Sequence, residues 1–160
     1  MKTSVLGIDF IKMFEGYSAI PYKDSAGKPT IGYGHLIKPG EVFGAVSNPE
    51  ATALLATDIG FAEDAVSSLV DVSLTQPQFD ALVSFVFHFG TRNFSTSTLL
   101  ADINQGVDNI GIYPQWLRWC KETKNGTLMK NVGLYYRALS EATLFKTGDY
   151  NAAKAAYTNR

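Results

Sequence analysis

The sequence is poor in cysteine and in long apolar runs. Cys120 is its single cysteine, so no disulfide can form within the chain, as is typical of proteins that fold in a reducing compartment. The longest segment without a formally charged residue, 81–91, is far shorter than the ~20 residues of a membrane-spanning helix. Asp9 and Lys12 interrupt the N-terminal apolar residues, which is unlike a signal peptide. We therefore expect no membrane anchor and no export signal.

The sequence also lacks a strong excess of either charge. Its net charge is −1 over 160 residues, so we expect no nucleic-acid partner. The charge is unevenly distributed, however: residues 47–110 carry one arginine against eight acids, whereas residues 111–160 carry eight basic residues against three acids. A basic C-terminal third could favour contact with an anionic polymer, although solvated helix faces are the favoured interpretation.

Hydrophobic spacing predicts a mainly helical α+β fold. Residues 4–15 have apolar side chains at helical spacing, whereas residues 17–36 combine β-formers with turn residues and predict a small sheet. Pro49 follows a capping segment, and apolar spacing continues to about residue 70, which predicts one long helix over 49–70. Helical stretches are predicted after Thr75 and at 96–105, 112–121, 131–146 and 150–157.

These elements predict a single domain over residues 1–160 with two lobes. A small N-terminal β-sheet lobe covers about 15–48, and a helical lobe covers 70–160 together with the N-terminal helix. The helix at 49–70 would join the two lobes.

Three polar residues near the N-terminus are candidates for catalytic roles. Glu15 ends the first predicted helix, Asp24 opens a turn nine positions later, and Thr30 begins a strand after six more. Glycosidic bond hydrolysis needs an acid for the leaving oxygen and a second group for water or the sugar cation. A carboxyl at a helix C-terminus is held towards its protonated form, whereas an Asp in a polar turn stays ionised. Taken singly, however, the three residues are explained as a surface acid, a turn former and a strand residue.

The joint pattern resembles a known family. The order Glu15, eight residues, Asp24, five residues, Thr30, followed by Ile-Gly-Tyr-Gly-His at 31–35, is similar to the motif of the phage-type lysozymes, glycoside hydrolase family 24. The likeness extends over nearly the whole chain, through Ala-Leu-Val-Ser-Phe-Val-Phe-His-Phe-Gly at 81–90, Ser-Thr-Leu-Leu at 97–100, Trp119, and the run Gly133-Leu134-x-x-Arg137-x-x-x-Glu141.

The resemblance implies an α+β lysozyme-like fold and an endolysin. Such an enzyme hydrolyses the β-1,4 bond between N-acetylmuramic acid and N-acetylglucosamine in peptidoglycan, with inversion, for host cell lysis. Glu15 would be the general acid, Asp24 the carboxylate that positions or deprotonates water, and Thr30 its helper. No metal and no cofactor are implied. The peptidoglycan glycan strands would be the partner of a monomer that is held in the host cytoplasm until a holin, not itself bound, permeabilises the inner membrane.

Further residues are candidates for supporting roles. Arg137 would lie beside Glu15, as the resemblance implies. His35 is a possible second acid or base, although pairing with an acid of the 49–70 helix is the favoured interpretation. Leu36 and Phe87 are candidates for sugar binding, with core packing favoured for Phe87. Trp116 and Trp119 are candidates for stacking on sugars, and we expect at least Trp119 to be in the core.

Two other functions stay open. A lytic transglycosylase would cleave the same bond with one acid and leave an anhydro end, but Asp24 and Thr30 argue against it. A non-enzymatic wall-binding or membrane-disrupting helical protein is compatible with the basic C-terminal third.

Overall fold

A computed structural model describes residues 1–106, 109–124 and 126–158. The chain divides into two compact units, one formed by residues 8–60 and the other by residues 1–7 with 61–160. The elements in chain order are α1 Val5–Glu15, β1 Ser18–Lys23, β2 Pro29–Gly32, β3 His35–Leu36, α2 Asn48–Asp58, α3 Gly60–Leu69, α4 Gln76–Phe89, α5 Thr91–Ser95, α6 Thr98–Asn104, α7 Asn109–Leu117, β4 Lys121–Lys124, β5 Thr127–Lys130, α8 Val132–Thr147 and α9 Tyr150–Thr158. The mainly helical α+β prediction is confirmed.

The unit of residues 8–60 is built on an antiparallel sheet in the order β1-β2-β3. The register of β1 against β2 shifts between Ser18 and Tyr22, and this irregularity contains Pro21, which has no N–H to donate to a ladder. Helix α2 packs on β2 so closely that a Cβ added at Gly32 would lie 3.0 Å from the Ala51 Cβ. Gly32 also has φ +65°, so this position needs glycine for two reasons.

Helix α2 begins where the sequence predicts. Ser47 is its N-cap and forms a capping box with Glu50, whose carboxylate accepts the Ser47 backbone N–H at 2.7 Å. The prediction of one helix over 49–70 is wrong, however, because α2 ends at Asp58 and α3 begins at Gly60. Ile59 between them has ψ −7°, away from the usual helical value, so the regular helix ends there. The following glycine is a weak helix former.

The unit that contains residues 61–160 is centred on α4. Helix α4 is buried along most of its length and packs against α8, which also contacts α7 and α9. In this unit Trp116 is fully buried, whereas Trp119 is only half-buried against the rings of Phe85 and Phe89. The expectation for Trp119 is therefore wrong, and Trp116 is the core tryptophan.

The structure contains a second hairpin, β4–β5, in the segment 70–160 that the sequence predicts to be helical. The sequence pattern predicts a helix over 112–121, but α7 ends at Leu117 and Lys121 pairs with Lys130 in an antiparallel ladder. All four β5 residues are exposed, so the strand has no alternating buried face for hydrophobic spacing to detect. The pair Asn125-Gly126 in the sequence is the signal that indicates a hairpin.

The described part of the chain contains no helix with the length and apolar character needed to cross a membrane.

Candidate active site

Asp24 and Thr30 lie at the turn end of the β1–β2 hairpin and share a backbone partner. The Asp24 Oδ1 oxygen accepts hydrogen bonds from the backbone N–H groups of Ala26 and Lys28, each at 2.8 Å. The Lys28 carbonyl accepts from the Asp24 backbone N–H at 2.9 Å and from the Thr30 hydroxyl at 3.1 Å. The turn therefore brings together two of the three motif residues.

Asp24 and Thr30 differ in the atoms that remain available to bind a ligand. Among the described residues, none donates a hydrogen bond to Asp24 Oδ2, so this oxygen has its lone pairs available for water. Thr30 is 1% exposed and donates its hydroxyl hydrogen to Lys28, so its oxygen acts as an acceptor. A carboxylate with an available oxygen, on the same turn as a hydroxyl acceptor, suits the binding and deprotonation of one water molecule.

Glu15 is the last residue of α1 and belongs to the same unit as Asp24 and Thr30. Gly16 follows with φ +68°, a left-handed conformation that ends the helix without a Cβ penalty. The Glu15 side chain is half-buried. It therefore lies at the negative end of the α1 dipole, as the sequence predicts.

His35 is buried and held by two carboxylates of its own unit. Its Nδ1 lies 2.8 Å from Oδ2 of Asp58 on α2, and its Nε2 lies 3.2 Å from Oε2 of Glu41. Phe43 packs edge-on against the imidazole. The Lys38 backbone N–H and then His35 lower the pKa of Glu41. This geometry matches the favoured interpretation, in which His35 pairs with an acid of the helix that follows the sheet.

The two candidate sugar-binding residues belong to different units. Leu36, the cross-strand partner of Thr30, is 44% exposed. Phe87 is half-buried near the C-terminal end of α4, and its ring centroid lies 6.2 Å from that of Phe61. Phe87 is therefore only partly packed in the core, which is the favoured interpretation for this residue.

Arg137 lies in a buried polar cluster that the sequence reveals only in part. Its Nε donates to Oε1 of Glu141 at 3.0 Å, and Nη2 donates to the Ser84 carbonyl at 3.1 Å. Glu141 is fully buried, and it also accepts from the Ser84 hydroxyl at 2.6 Å and from Trp116 Nε1 at 3.0 Å. We call Ser84, Trp116, Arg137 and Glu141 the Glu141 cluster.

The sequence does not predict that Ser84 and Trp116 belong to this cluster. Ser84 lies within the apolar run of α4, and a serine amid such a run is the signal that indicates a buried polar partner. Burial raises the pKa of Glu141, and the Arg137 guanidinium with the donors Ser84 and Trp116 opposes that shift.

His88 contacts the cluster from the C-terminal end of α4. Arg137 Nη1 lies 3.1 Å from its Nδ1, so a neutral imidazole is the acceptor. Desolvation and then the Arg137 charge lower the pKa of His88 to about 4.

The fold defines a mainly helical α+β protein with small antiparallel sheets, and comparison with known proteins identifies its family. The model of the family described as "Phage lysozyme" matches residues 12–141. The endolysin of Acyrthosiphon pisum secondary endosymbiont phage 1 is 36% identical, covering 92% of this chain and 99% of that protein. The endolysin of Bacillus phage B103 is 38% identical over 93% of this chain, which spans only 56% of that longer protein.

A solved structure agrees with these relatives. The muramidase domain of SpmX from Asticaccaulis excentricus superposes with a TM-score of 0.83 at 36% identity, over 91% of this chain and 98% of that domain. The chain therefore belongs to the phage lysozyme family and has a lysozyme-like fold. It is a lysozyme-type hydrolase that degrades peptidoglycan, an endolysin of bacteriophage type.

Proposed function

We propose that this endolysin hydrolyses the β-1,4 bond between N-acetylmuramic acid and N-acetylglucosamine with inversion at the anomeric carbon. The observation that carries this proposal is the Asp24 carboxylate, whose Oδ1 accepts two backbone N–H bonds while Oδ2 accepts none from the described residues. An immobilised carboxylate with one available oxygen suits a general base for water. The muramidase named among the solved structures supports the same bond.

In this mechanism one carboxyl group donates a proton and the other accepts one. Glu15, as the acid, gives its proton to the glycosidic oxygen, and the N-acetylglucosamine leaves with that oxygen as its 4-hydroxyl. Asp24, as the carboxylate, takes a proton from water while the water oxygen attacks the anomeric carbon of N-acetylmuramic acid from the far face. Thr30 accepts the second hydrogen of the same water. Solvent then returns a proton to Glu15 and removes one from Asp24.

Supporting roles are proposed for four more residues. Arg137 pairs with Glu15 and orients its carboxyl group towards the scissile oxygen. His35 supports the sheet that carries Thr30, through Asp58 of α2. Leu36 and Phe87 contact the sugar rings, because both present partly exposed apolar surface.

The release of the enzyme is part of the proposal. It acts on the cell wall during host lysis, after a holin has permeabilised the inner membrane. Expression in host cells without a holin should then leave the cells intact until chloroform is added. Spontaneous lysis would contradict this part of the proposal.

Product analysis tests the reaction itself. Purified sacculi are digested, and the new ends are examined by mass spectrometry and by NMR during the first turnovers. We expect reducing N-acetylmuramic acid ends that appear first as the α-anomer. A β-anomer first would contradict the role of Asp24 as base. Anhydro ends would favour the transglycosylase, and lysis without any new glycan ends would favour membrane disruption.

A further inference from the structure

The Glu141 carboxylate is unusual because the proposed mechanism does not use it, although it is fully buried. Burying an ionised carboxylate is unfavourable before its partners compensate. Apolar residues of similar volume often stabilise a fold as well as a buried ion pair does. Stability alone is therefore a weak explanation for a carboxylate at this position, and orientation of its partner is the alternative.

The contacts of Arg137 support an orienting role. The three guanidinium nitrogens each donate to a different acceptor: Nε to Glu141, Nη2 to the Ser84 carbonyl and Nη1 to His88. Three non-collinear bonds define the plane of the guanidinium and its rotation within that plane. Only the Glu141 contact carries an opposite charge, so it is the strongest of the three.

The contacts of Glu141 in turn hold it in place. Ser84 donates to Oε1 and Trp116 donates to Oε2, so neither oxygen can turn away from its position without losing a bond. The donors come from α4 and α7, whereas Glu141 and Arg137 are one turn apart on α8. Three helices of one unit therefore determine where the guanidinium lies.

We propose that Glu141 is a positioning residue for glycan hydrolysis: it holds the Arg137 guanidinium in the one orientation from which Arg137 orients the catalytic carboxyl of Glu15. This inference rests on the proposed function, which supplies the pairing of Arg137 with Glu15. Glu141 acts through Arg137 and does not touch the substrate.

A double-mutant cycle tests this coupling. Glu141→Gln, Arg137→Gln and the double variant are compared with wild type for kcat and KM on soluble, uncrosslinked glycan strands, with circular dichroism reporting the folded fraction. Because misplacement of a catalytic group lowers the rate rather than binding, Glu141→Gln should reduce kcat on the order of tenfold with KM little changed. In the Arg137→Gln background the same change should have less than about a twofold effect on kcat. Equal losses in both backgrounds would overturn the proposal.

A control and a milder variant keep the result interpretable. Glu63 is another buried carboxylate of the same unit, and it accepts from the Lys2 ammonium at 2.7 Å. Glu63→Gln should lower the melting temperature and leave kcat unchanged. If Glu141→Gln does not fold, Trp116→Phe replaces it, because this change removes one donor to Glu141 and, among the described contacts, no acceptor of Arg137. Its smaller loss of kcat must likewise vanish in the Arg137→Gln background, or the proposal fails.

The same data separate this inference from the proposed function. If Arg137→Gln has wild-type kcat, the pairing of Arg137 with Glu15 is wrong. If Arg137→Gln is impaired and the Glu141→Gln loss is additive to it, the pairing stands and only the positioning role of Glu141 is wrong.

Discussion

The Asp24 turn and the Glu141 cluster both hold a carboxylate by hydrogen bonds, but they recruit the donors from opposite distances along the chain. Asp24 is held by Ala26 and Lys28, two and four residues away. Glu141 accepts from Arg137 four residues away, but its other two donors, Trp116 and Ser84, are 25 and 57 residues away. The first arrangement forms with its own hairpin, whereas the second requires three helices to be packed.

The two carboxylates are therefore expected to govern different properties of the protein. The turn is half-exposed and loses little packing when its side chains change, so its residues are expected to govern the reaction more than stability. The Glu141 cluster is buried, so a change there leaves polar partners without bonds and affects stability as well as rate.

The largest expected effect is on turnover, from Glu15→Gln in the unit of residues 8–60. The amide keeps the shape of the acid but cannot donate a proton to the leaving oxygen, so kcat should fall by at least about 100-fold. The free energy of unfolding should stay within about 1 kcal/mol of wild type. Asp9→Asn, an exposed acid on the same helix, should be fully active. A loss below about tenfold for Glu15→Gln would contradict the assignment.

The second-largest expected effect is a loss of stability in the unit that contains residues 61–160. Glu141→Ala removes the buried carboxylate to which Arg137 Nε donates, which should cost about 3–5 kcal/mol in the free energy of unfolding measured with urea. Glu122→Ala, at an exposed acid on β4, should cost less than about 0.5 kcal/mol. If the two variants had equal stability, the cluster would not be a buried ion pair in solution.

A smaller effect compares local contacts in the two units. Ser47 and Thr75 are the N-caps of α2 and α4, and each forms a capping box with the residue three positions later. Changing either one to Ala should cost about 1 kcal/mol of unfolding free energy, since it leaves an N–H of the first turn without its partner. A much larger cost for Ser47→Ala would show that the unit of residues 8–60 depends on more than local bonds.

The smallest effect is a pH dependence at the edge of the Glu141 cluster. The pKa of His88 in the folded protein is about 4, below its ordinary value of 6.5, so between these values only the unfolded chain takes up a proton. Stability from this residue is therefore complete above pH 6.5 and is lost as pH falls through about 4. His88→Gln cannot titrate and should lose less stability than wild type between pH 7 and pH 4, measured by urea unfolding. An identical loss in both proteins would exclude His88 as the source.

Several features of the fold follow from sequence patterns, and the exceptions have particular causes. The start of α2 at Ser47–Pro49 and the end of α1 before Gly16 were predictable because caps depend on adjacent residues. The division of the predicted 49–70 helix was missed because apolar spacing continues through Ile59 and Gly60. Hairpin β4–β5 was missed because its exposed strands lack a buried face.

The family motif can be read from the sequence alone. The Asp24 turn also follows from local sequence, because its side-chain hydrogen bonds join residues two and four positions apart. Tertiary structure alone decided that Trp116, rather than Trp119, is fully buried, and that Ser84 and Trp116 donate to Glu141. Nothing in the spacing of Ser84, Trp116 and Glu141 specifies this meeting. It follows from the packing of α4, α7 and α8, where a buried carboxylate must find donors on whichever helices surround it.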